Sequence, residues 1–194
     1  MLLKNIDFSK ETQFHTLLHF RKTDLAWLEQ LLAETNHTPE EAYEMMQKPG
    51  SKFFPSFAEH PEHLWERIPA LQNHLTEVKR HGDQKRAFIF HIPENSYPEG
   101  IGTDGIINLS GLSVEERKKM TSTLRNGLKI FYVKLIRPLP TWQLNLMVGT
   151  SGGHRKIITT FPGTYAPPLP DPRWHTPEQI TEYARFWNQH VFVG

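Results

Sequence analysis

Cysteine is absent from all 194 residues of the chain. Its absence removes disulfide scaffolds, thiolate zinc sites, iron–sulfur clusters and cysteine nucleophiles from consideration. No apolar run approaches the roughly 18–20 residues that a membrane-spanning helix needs. The opening MLLKNIDFSKETQ has acidic and polar residues where a secretory leader would be apolar. These absences predict a cytoplasmic protein with no membrane partner. Walker loops, the GxSxG elbow and HExxH are missing too, which removes the common nucleotide-hydrolysing, serine-esterase and zinc-protease chemistries. One further absence is local: no acidic residue lies between Glu116 and Asp171.

Hydrophobic residues make up 38% of the chain, including twelve Phe, five Trp and five Tyr, enough to bury one sizeable core. Net charge is only +1, but the halves differ. Residues 1–97 carry 11 Lys and Arg against 14 Asp and Glu, whereas residues 98–194 carry 11 against 7. Nine bases fall within the acid-free stretch: Arg117, Lys118, Lys119, Arg125, Lys129, Lys134, Arg137, Arg155 and Lys156. Such a block suits a polyanion-binding face, because any acid within it would repel phosphate. The competing reading is a solvated basic face that pairs with the acidic N-terminal half.

Periodicity divides the chain near residue 85. Residues 1–85 read as a helical part and 86–194 as an α+β sheet region, the two forming one compact unit. Leucines at helical spacing, the capping box Thr38-Pro39-Glu40-Glu41, and an apolar face over Leu64, Trp65, Ile68, Leu71 and Leu75 predict helices, the last running from Pro61 to His81 and ended by Gly82. Strands are expected over 86–92, 106–109 and 128–136, with a hairpin formed by TWQLNLMVG and HRKIITTFPG. Ser113 opens a helix predicted to stop at Asn126-Gly127, and Thr176 opens a final one. The fold class is therefore α+β: N-terminal helices, then an antiparallel or mixed sheet of about four strands with two further helices.

Eleven histidines supply groups that exchange protons near neutrality. His15 and His19 share a helix face at metal-clamping spacing but have no nameable third ligand, so no metal and no cofactor is assigned. Gly100, Gly102 and Gly105 spell GxGxxG without the strand–turn–helix context of a dinucleotide site. His91, ending an apolar strand, and His154, beside Arg155 and Lys156, are the stronger candidates. Alternation along the second hairpin strand predicts Arg155, Ile157 and Thr159 on one face, with Lys156, Ile158 and Thr160 on the other. Imidazole, cation and hydroxyl together suffice to grip and cleave a phosphodiester without metal. The candidate catalytic groups are thus His91, His154, Thr159 and Thr160, with Arg155, Lys156 and Arg125 holding phosphate. These residues are expected to matter more than the His15/His19 pair.

The segment His154-Arg155-Lys156-Ile157-Ile158-Thr159-Thr160-Phe161-Pro162 resembles the late strand of the BECR superfamily, the metal-independent ribonuclease toxins related to barnase, EndoU, colicins and RelE. The resemblance spans about residues 86–165. It implies N-terminal helices on a four-stranded antiparallel sheet, RNA as substrate, and roles for His91, Arg155, Lys156, Thr159 and Thr160. Three functions stay open: a protein binding RNA or another phosphorylated ligand, with metal-independent RNA cleavage as its reaction; a non-catalytic module docking an acidic protein partner or itself; and a histidine-based metal enzyme.

Overall fold

A computed structural model describes residues 6–7, 9–81, 84–135, 137, 139–151 and 153–194. Gly82, Ile136, Pro138 and the hairpin-turn residue Gly152 lie outside the described residues. The first half contains β1 (Ile6–Asp7), α1 (Lys10–Thr16), a 3-10 turn Leu17–His19, α2 (Leu25–Glu34), α3 (Pro39–Gln47), β2 (Lys52–Phe53), α4 (Pro61–Leu71), β3 (Leu75–His81) and β4 (Lys85–His91). The second half adds β5 (Gly102–Thr103), β6 (Ile106–Asn108), α5 (Val114–Lys118), β7 (Thr121–Arg125), β8 (Leu128–Val133), β9 (Pro140–Thr141), β10 (Gln143–Ser151), β11 (His154–Pro162), α6 (Pro177–Gln189) and β12 (His190–Val193). The class is α+β. Instead of one sheet there are three, ordered β1-β11-β10-β4-β3, β6-β12-β8-β7 and β2-β5-β9.

The helices begin where their caps dictate. Ser9, Asp24 and Thr38 each accept the backbone N–H three residues on, and Ser113 and Thr176 complete reciprocal capping boxes. In the five-stranded sheet, alternation sends Phe88, Phe90, Leu144, Leu146 and Val148 to one face. There they meet Leu64, Trp65 and Ile68 of α4 together with Phe20, Phe53 and Phe57. Phe14, Leu17, Trp27, Leu28, Leu31 and Ala42 form a second cluster joining α1, α2 and α3. No helix among the described residues is long and apolar enough to cross a membrane.

Three expectations are corrected. The helix from Pro61 stops at Leu71, two residues past Pro69, and residues 75–81 pair antiparallel with β4 as a strand. The first 85 residues are therefore not purely helical; they also contribute β1, β2 and β3. The helix capped by Ser113 is only five residues long, and residues 121–125 form a strand whose hairpin turns at Asn126 (φ 50°) and Gly127 (φ 77°). Finally, β11 does not alternate throughout. Val148 faces Ile157 but Met147 faces Thr159, so Ile158 is an unpaired bulge. Beyond the bulge it is Thr160, opposite Leu146, that joins the core face, while Thr159 turns to the other side.

Candidate functional site

The predicted site residues do not converge. His91 pairs with Gln143 at one end of β10, and His154 with Ser151 at the other. Eight residues of strand separate these registers, about 26 Å at roughly 3.3 Å per residue. Both imidazoles are exposed, as are Lys156 and Arg125; Arg155 is half-buried. Arg125 ends β7, in a different sheet from Arg155. Thr160 is fully buried with a partnerless hydroxyl. Thr159 walls a cavity, and its enclosed Oγ1 likewise has no hydrogen-bond partner among the described residues.

Two adjoining cavities, the second of them walled in part by Thr159, stand where the 3-10 turn after α1 and the segment leading into β2 meet the glycine loop. Close backbone approach makes this meeting possible. A Cβ on Gly105 would lie 2.5 Å from the Ser51 nitrogen, and one on Gly102 would collide with the Lys52 carbonyl and Pro162. The glycines of the GxGxxG spelling are thus packing residues here. Asp104, between them, ties the loop to the segment after β11. Its Oδ1 accepts from the N–H groups of Ile106 (3.0 Å) and Thr164 (2.9 Å), and its Oδ2 from the Thr164 hydroxyl (2.6 Å).

The first cavity, of about 450 Å³, is cationic. Arg21, Lys48, Lys52 and Lys134 line it, with Asp104 as its one acidic side chain; the last residue, Gly194, lines it too. None of the four cations has an ion-pair partner among the described residues. Lys52 is buried and donates from Nζ to the carbonyls of Leu18 and Met46. Burial, reinforced by the nearby Arg21 charge, pushes its pKa down to about 8.

The second cavity, of about 310 Å³, shares Pro49, Gly50 and Asp104 with the first and is walled by His15, His19, Ser51, Thr159, Phe161, Thr164 and Phe192, among others. His19 is nine-tenths buried. Its Nδ1 lies 3.1 Å from the Ser51 carbonyl oxygen and 3.2 Å from the Ser51 hydroxyl; the hydroxyl can donate or accept but the carbonyl can only accept, so the proton is assigned to Nδ1. With the proton on Nδ1, Nε2 carries the lone pair, and it has no hydrogen-bond partner among the described residues. Burial drives the pKa down to about 3, with the Lys52 and His15 charges adding to the shift against the Ser51 hydrogen bond, so the ring is neutral near pH 7.

Sequence reasoning paired His15 with His19 by spacing but found no role for them. The expected shared helix face is corrected: α1 ends at Thr16, and His19 lies on the following 3-10 turn, buried where His15 is exposed; what singles out His19 is a carbonyl 32 residues away and a cavity wall contributed by β11. Arg21, Lys48 and Lys52 were missed because they belong to the acidic half of the chain. Lys134 was read as one base of nine. Among the described residues no three His, Asp or Glu side chains are grouped to hold a metal ion. No protein-family model matches the chain, and no curated protein matches it.

Proposed function

We propose that the protein binds a phosphorylated ligand, RNA foremost, in the cleft walled by Arg21, Lys48, Lys52 and Lys134. One observation carries this reading: four cations without ion-pair partners among the described residues line a single cavity whose one acidic side chain, Asp104, is turned to Ile106 and Thr164. Gathering like charges costs free energy unless an anion or solvent screens them, and a phosphate is the anion such a cradle fits. The resemblance of residues 154–162 to a ribonuclease-toxin strand supports RNA as the ligand. Metal-independent cleavage is the reaction proposed for that ligand, with the acid–base groups outside this cavity, since the neighbouring His19 is too weakly basic to serve as one.

The test compares single-stranded RNA binding, in excess EDTA, by Arg21→Ala/Lys134→Ala and Arg155→Ala/Lys156→Ala. Loss of two phosphate contacts should weaken binding on the order of tenfold or more at low salt, and only the first pair should do so. Loss confined to the second pair would move the grip to the start of β11. The same mixtures resolved on a gel report cleavage. A second reading, a module for an acidic protein partner, draws on β7, an edge strand whose five residues are all exposed, with Leu124 at 74%. It gains if native protein fails to bind RNA at any salt concentration.

A further inference from the structure

His19 is a buried titratable side chain that borders a cavity, and its Nε2 has no hydrogen-bond partner among the described residues. Its Nδ1 is held by Ser51, whose carbonyl can only accept and whose hydroxyl lies beside it, so the proton is assigned to Nδ1 and the ring is oriented from that side. A neutral ring with a bare Nε2 can only accept, so its complement is an O–H or N–H donor. Thr159, the nearest predicted partner by position in the cavity wall, makes no such bond. The cavity opens beside the cationic one across Gly50 and Asp104, so a ligand whose phosphate sits among Arg21, Lys48 and Lys134 extends its adjacent group toward His19. In RNA the group adjacent to each phosphate is a ribose, and its 2′-hydroxyl is the donor that DNA lacks.

We infer that His19 reads the ribose 2′-hydroxyl of bound RNA, accepting a hydrogen bond from it at Nε2, and so sets a preference for RNA over DNA. The inference rests on the phosphate-binding reading of the neighbouring cavity and adds a specificity that cations alone do not supply, since both nucleic acids carry the same phosphates. It also gives the depressed basicity a use. A histidine that stayed half-protonated would add a further charge for any phosphate, whereas a neutral one discriminates by hydrogen bonding. A hydroxyl-deficient ligand leaves Nε2 desolvated without a donor, which is the source of selectivity.

The experiment measures affinity for a short single-stranded RNA, its DNA counterpart and its 2′-fluoro counterpart, which keeps the RNA sugar pucker without the hydroxyl donor. Native protein should bind the RNA about tenfold more tightly than either of the others, as one directed hydrogen bond would give. In His19→Asn the side-chain amide can still donate to Ser51 but nothing occupies the Nε2 position. It should lose the preference by weakening RNA alone. His19→Gln, whose amide oxygen reaches toward that position, should recover part of it. Equal binding of all three by native protein overturns the inference and leaves the phosphate reading standing. Equal weakening of RNA and DNA in His19→Asn overturns it in favour of a structural role. Failure of native protein to bind any of them removes both readings.

Discussion

Among single residues, His19 ties the candidate site to stability. An unfolded chain protonates its histidines near pH 6.5, whereas burial holds His19 in the folded protein at about 3. Between those values the unfolded state binds the extra proton, so the folded state loses ground as pH falls from about 6.5. The contribution is complete above that range. His37 works in the opposite sense: hydrogen bonds to Glu11 and Glu41 raise its pKa, so what it adds is present below about 6.5 and fades as pH rises through its folded pKa. Being solvent-exposed in its ion pairs, His37 contributes less. Thermal unfolding of native protein and His19→Asn between pH 7 and 4 should therefore diverge. The native midpoint should drop more steeply, reflecting a stability loss on the order of a few kcal/mol in total. Parallel curves would mean that the imidazole is not buried as a neutral ring. Nothing in a His-x-x-x-His spelling carries this information, because the burial comes from distant chain.

At the scale of elements, the hairpin of β7 and β8 shows why one local signal supports two readings. Asn-Gly supplies positive φ, which serves equally as a helix stop and as a two-residue hairpin turn. The sequence around it decides between them: Thr121 and Thr123 are β-branched and favour a strand, while the helix signals end with Lys118. Gly127 makes a clean test because a Cβ there meets nothing within 4 Å, so Gly127→Ala isolates backbone strain at φ +77°. It should destabilise the protein by about 1 kcal/mol in urea unfolding and leave RNA binding unchanged. No loss of stability would mean that the turn is not left-handed. The same tension between local pattern and pairing explains β3 and the β11 bulge. Leu75 continues the helical stripe of α4, yet residues 75–81 are claimed by β4, and the bulge at Ile158 depends on ladder geometry that no single strand reveals. Capping boxes and the β10–β11 hairpin were legible because their signals are local and act together.

The whole molecule redistributes charge that looks contiguous along the chain. Of the nine bases in the acid-free stretch, Lys118 pairs with Glu115, Arg125 and Lys129 sit on the β7–β8 hairpin, and Arg155 and Lys156 open β11. Only Lys134 reaches the cationic cavity, where Arg21, Lys48 and Lys52 of the acidic half join it. Linear charge blocks and folded cationic sites are therefore different objects, and they predict different salt dependences. Each phosphate neutralised on single-stranded nucleic acid contributes about 0.7 to the slope of log affinity against log salt. Four contacts in the cleft give a slope of about −3, whereas a face using the full block of nine would give roughly −6. Titration of RNA binding across salt concentrations distinguishes them without any variant. A slope near −3 that falls by about 1.4 in Arg21→Ala/Lys134→Ala places the phosphates in the cleft. A slope near −6 indifferent to that pair would return them to the basic block, because counterion release counts the charges engaged wherever they stand in sequence.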